Sequence, residues 1–130
     1  MEKEKLISYW IKSSDRDFKT MGHLYEKKDY SWALFIGHLV IEKLIKAYYV
    51  ENIDNQPPLI HNLLRLAEKS QLKLNEEQKD FLDTVSTFNI RARYDDYNLE
   101  FCKVCTQKFT KLWIDKIRGF RRWIKAKLSE

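Results

Sequence analysis

Arg91 and Arg93 stand one residue apart beside Tyr94, inside a stretch (residues 89–98) that also holds Asp95, Asp96, Tyr97 and Asn98. Two guanidinium forks near an aromatic ring fit an anion or nucleotide site, because the fork binds phosphate bidentately and the ring stacks on a base. Asp95, Asp96 and Asn98 supply turn formers and solubility to what reads as a connection between two helices. The plainer alternative is that Arg93 caps a helix end or pairs with Asp95 or Asp96.

The flanking sequence must position those groups, and its periodicity is helical. Residues 3–26 carry Leu6, Trp10, Met21 and Leu24 at helical spacing, interrupted by Ser13 and Asp17. A carboxylate on a core-facing line needs a partner. An arginine from the central connection is the expected partner of Asp17, with solvent or Arg16 as the alternative. Asp29 reads as the N-cap of a second helix over residues 30–50, whose stripe of Ala33, Leu34, Gly37, Val40, Ile41, Leu44 and Tyr48 is widened by Ile36 and Ile45. This helix should be buried on more than one side, with Gly37 admitting a close neighbour. His38 and Glu42 share a face, as do Glu42 and Lys46, which makes a salt-bridged flank or, alternatively, places Glu42 and Lys46 in the site.

Pro57 and Pro58 break the pattern before His61 and a short third helix. Asn75 and Gln78 have capping-box spacing ahead of a fourth helix with Phe81, Leu82, Val85 and Phe88 on one face. A fifth helix is expected from about Leu99 to Lys127, with Gly119 as a candidate kink. The architecture implied is all-α: an up-and-down bundle of four to five helices, whose first two long helices form an antiparallel hairpin.

The 130 residues suit a single domain, 1–130, large enough for a core. Hydrophobic residues make up 44% and charged residues 33%, the balance of a soluble globular chain. With Gly (3) and Pro (2) scarce, a β-rich fold with many tight turns is excluded. No apolar run is long enough to span a bilayer, and no signal-peptide core succeeds the first residues, so no membrane association and a cytoplasmic location are expected. Residues 1–100 carry 15 basic against 17 acidic side chains, whereas residues 101–130 carry 9 against 2. The basic character therefore sits at the C-terminal end, where a solvated helix face or a surface for RNA or anionic membrane are the readings. Cys102 and Cys105 lack the second pair a structural zinc site needs, and read as core-packing thiols in a reducing compartment. No metal or cofactor is expected.

The ordered set of Asp17, Tyr30 with Ala33, the run from His38 to Ala47, Pro57-Pro58 with His61 and Leu63, and finally Ala92-Arg93-Tyr94-Asp95 resembles the HEPN family, the higher eukaryotes and prokaryotes nucleotide-binding domain. The resemblance covers about residues 10–120. It implies a helical bundle, often a homodimer whose loops meet across a cleft, and a nucleotide or RNA ligand. It further implies a minimal nucleotidyltransferase as protein partner in a toxin–antitoxin-type pair. The nucleotide- or RNA-binding residues so implied are Arg91, Arg93, Tyr94 and Lys46, with Asp17, Glu42, Asp95 and Asn98 orienting or supporting them. The family's cleaving members carry an arginine, then four to six intervening residues, then a histidine; no histidine occurs after His61 here. The expectation is therefore binding without cleavage. The alternative is a metal-independent endoribonuclease that uses Arg93 with a non-standard proton acceptor.

Overall fold

The computed structural model describes residues 2–95 and 99–128, and every regular element among them is a helix. In order these are α1 (Glu2–Glu26), α2 (Tyr30–Asn52), α3 (Leu63–Lys69), α4 (Glu76–Arg93), α5 (Glu100–Val104) and α6 (Gln107–Leu128). The four long helices make the bundle, with α2 in the middle, packed by α1, α4 and α6.

Local chemistry sets the turns. α1 ends with Lys28 in the left-handed region (φ 66), where Asp29 N–H donates to Leu24 O at 2.9 Å and Lys28 N–H to Tyr25 O at 3.0 Å. The same arrangement closes α3 at Gln71 (φ 65), with Leu72 N–H donating to Ala67 O at 3.1 Å. Both are Schellman-type ends, which satisfy last-turn carbonyls and reverse the chain in few residues. Asp29 does precede α2, but its side chain makes no cap bond. The Asn75–Gln78 capping box at the start of α4 is complete.

α2 owes its central place to being apolar nearly all round. Ala33, Leu34, Val40, Ile41, Leu44, Ile45 and Ala47 are each fully buried. At Gly37 a Cβ would lie 2.7 Å from Ile117 Cδ1 and 3.2 Å from Met21 Sδ. Its absence lets α1 and α6 close on α2 at one level. Lys43 Nζ donates to Asp17 Oδ2 at 2.6 Å and ties α1 to α2. Gln107 meets Tyr25 while Arg121 and Lys125 both hold Asp15, so α6 runs antiparallel to α1.

The C-terminal part departs from the single long helix its periodicity suggests. α5 stops at Val104, and Thr106 Oγ1 accepts from Phe109 N–H at 3.2 Å to open α6. A threonine that caps a new helix competes with continuing the old one. Gly119 lies within α6. The aromatic side chains of α6 turn inward: Phe81 stacks on Phe120 at 5.1 Å, and Phe88 meets Trp113 at 5.6 Å edge-on. Phe88 also contacts Phe101 and Phe109, so one ring joins α4, α5 and α6. Among the described residues no helix is long and apolar enough to cross a membrane.

Candidate functional site

The stretch singled out in the sequence is the end of α4 rather than a loop: residues 89–93 are helical, and Tyr94 is the C-cap. Cationic side chains there oppose the partial negative charge of the exposed last-turn carbonyls. Arg93 does this directly, donating from Nε to Asn89 O at 3.0 Å and from Nη2 to Asn89 Oδ1 at 2.8 Å. Its guanidinium carbon lies 5.3 Å from the centroid of Phe35 and 5.1 Å from that of Tyr94. Asn89 is buried, whereas Arg93 is exposed. The group is thus a fork fixed on its inner edge and flanked by two rings, with its other donors unclaimed by described residues. Capping and exposure coexist.

Arg91 does not share that fork. Residues two apart on a helix face different ways, and Arg91 lies over the Phe101 ring of α5 at 4.5 Å. Asp95 also serves α5: its two carboxylate oxygens accept from Phe101 N–H at 3.0 Å and Cys102 N–H at 2.9 Å. A carboxylate at a helix start satisfies orphan donors, so Asp95 is tied to the first turn of α5. Asn98 lies outside the described residues, as do Asp96 and Tyr97. Asp17, expected to meet an arginine, is bound instead by Lys43, because α1 lies along α2 and Arg93 faces Phe35.

A second group of polar side chains lies on the same line of α2. Phe35, His38, Glu42 and Lys46 are three or four residues apart and so stack along one face. Glu42 is buried and lies at the hub: Lys46 Nζ is 3.3 Å from one oxygen, and the other is 3.5 Å from His61 Nδ1 and 3.9 Å from His38 Nε2. Lys46 also sits over the Trp10 ring at 5.0 Å, and its side chain is only 12% exposed. It is therefore engaged by Glu42 and Trp10 rather than held out to solvent. His61 is the accessible member, with a side chain 73% exposed.

His38 is fully buried. Its Nε2 lies 3.4 Å from His61 O, a carbonyl that can only accept, so the ring carries its proton there. Burial pushes its pKa below the ordinary 6.5, opposed by Glu42 and assisted by the positive charge of Arg93. Its Nδ1 is buried without a hydrogen-bond partner among the described residues. The proline segment brings His61 to α2, and the start of α3 holds it there. Asn62 caps α3 through Arg65 N–H, and Leu63 N–H donates to Ser86 Oγ of α4 at 2.8 Å.

Asn89, Phe35, His38 and His61 carried no site assignment in the sequence. Asn89 and Arg93 have helical i,i+4 spacing, a signal available once α4 is extended through Arg93. Phe35 shares the stripe of His38 and Glu42. Nothing local to His61 announces that it folds back onto α2.

Cysteine chemistry is elsewhere. Burial pushes the Cys105 thiol up to about 12, which keeps it protonated and inert, and Cys102 is exposed and unpaired. No group of His, Cys, Asp and Glu among the described residues has the arrangement of a metal site.

Comparison with known families gives one match: the HEPN domain model covers residues 7–127. No curated protein and no solved structure is significantly similar to the chain.

Proposed function

This chain belongs to the HEPN domain family, and from that premise we propose that it is a nucleotide- or RNA-binding module whose Arg93 holds a phosphate while Tyr94 and Phe35 offer faces to a base. Family membership supports a nucleotide- or RNA-related function in general. The observation that carries the finer reading is the exposed guanidinium fixed by Asn89 between two rings. A preorganised fork loses little freedom on meeting a phosphate, so most of the new hydrogen bonding emerges as affinity. Arg91 adds charge from the α5 side, and Lys46 keeps Glu42 neutralised behind the site. Family resemblance alone extends the proposal to a homodimer and to a nucleotidyltransferase partner in a toxin–antitoxin-type pair.

Arg93→Ala should weaken binding of a short single-stranded RNA by about 1–3 kcal/mol and flatten the dependence of affinity on salt. Fluorescence anisotropy across a salt series, beside thermal melts of both proteins, reads this out. Equal affinities and equal salt slopes for the two proteins would remove Arg93 from the reading.

A further inference from the structure

We propose that the groove between the first half of α4 and α6 binds a small organic cation, an ammonium group carried on an apolar or aromatic body. The site is independent of the phosphate reading. Its α4 lining runs from Asn75 to Thr84, on the half of that helix away from Arg93.

The groove follows from how the helices pack. α4 and α6 both lie on α2, but their own backbones barely meet, and rings bridge the gap. Phe81 stacks between Trp113, at 6.2 Å, and Phe120, at 5.1 Å, and Trp123 follows at 5.3 Å from Phe120. The result is one aromatic array, buried at its two phenylalanines and half-buried at its two tryptophans. Beside it lies a cavity of about 540 Å³, the size of a small-molecule site. At Gly119, in the lining, an added Cβ would meet nothing within 4 Å. A ligand body has room there to lie against the α6 backbone.

The charges on the rim select the sign of the ligand. Glu77 and Asp80 are exposed and three residues apart on α4, so both stand on the face that carries Phe81. Neither forms an ion pair among the described residues, and neighbouring Lys79 is held by Glu76 at 3.5 Å. Asn75 and Gln78 spend their side chains on the capping box. On the opposite rim, Lys116 Nζ lies 4.7 Å from the centroid of Trp113 and pairs with neither carboxylate. Lys127, outside the lining, lies over Trp123 at 5.3 Å. The array already receives the chain's own cations, as electron-rich ring faces do. The lining sets two carboxylates against one ammonium, so a monovalent cation brings it to neutrality. Its charged group meets Glu77 and Asp80, and its apolar body covers Phe81, Phe120 and Gly119.

The test titrates the full chain by isothermal calorimetry with phenethylammonium, 2-phenylethanol and 3-phenylpropionate, a cationic, a neutral and an anionic probe of similar body. The expected result is saturable binding of the cation about tenfold tighter than the alcohol, with the anion weakest. Glu77→Gln/Asp80→Asn should weaken the cation about tenfold and erase its advantage over the alcohol. Gly119→Leu puts a side chain into the groove and suits a helix better than glycine. It should abolish binding without lowering the melting temperature. Arg93→Ala should bind the cation as wild type does, which keeps this site separable from the phosphate reading. No saturable binding of the cation would overturn the proposal. So would an alcohol or anion that binds as tightly, or cation binding that survives either groove variant unchanged.

Discussion

Phe88→Ala is expected to lower the free energy of unfolding by about 3–5 kcal/mol, the usual cost of emptying a buried aromatic site. Phe88 is fully buried and touches Phe101 at 5.7 Å, Trp113 at 5.6 Å and Phe109 at 6.4 Å, so its removal strips one wall from three rings at once. Those neighbours belong to α5 and α6, and few other contacts tie α5 down. A domain this size has only about 5–15 kcal/mol in reserve. The damage should also reach the C-terminal end of α4, because Asn89 is next in the chain after Phe88 and Arg91 rests on Phe101. Urea titration of wild type, Phe88→Leu and Phe88→Ala would show it, with leucine losing clearly less because it leaves less empty volume. A midpoint for the alanine variant within error of wild type would mean the aromatic junction is not a structural centre.

Glu42→Ala should cost about 3 kcal/mol, for an electrostatic reason. The carboxylate lies buried between Lys46, His61 and His38. Removing it strands the Lys46 ammonium, whose side chain is 12% exposed and boxed by Trp10. Breaking one half of a buried pair leaves an uncompensated charge, whereas replacing both halves by apolar groups is often neutral. The double variant Glu42→Leu/Lys46→Met is therefore expected to recover most of the stability that the single variant loses. Equal losses in the two would show that Lys46 reaches water unaided and that the pair contributes little.

The helices were legible because their signals are local. The α2 stripe, the Gly37 approach and the Asn75–Gln78 capping box all arise from spacing within one turn or two. The break between α5 and α6 was not, because the inner stripe runs on through Cys105 and only the Thr106 cap interrupts it. Arg93 was legible as a candidate, but its setting was not. Asn89 and Tyr94 are its chain neighbours, whereas Phe35 and the fold-back of His61 depend on how α2, α3 and α4 meet. Asp17 failed to find its expected arginine for the same reason: the nearest cation is decided by the pairing of α1 with α2, and Lys43 is there first.

The short link closed by Lys28 has a kinetic consequence. α1 and α2 are consecutive in the chain and share the largest interface between helices, so their docking closes little intervening chain and should come early in folding. Arg93 reaches Phe35 only after α3 and all of α4 have joined. The proposed phosphate site is then the last feature the maturing chain assembles. Pulse-labelled hydrogen exchange during refolding should protect amides of α1 and α2 ahead of those in the final turn of α4; simultaneous protection would refute this order.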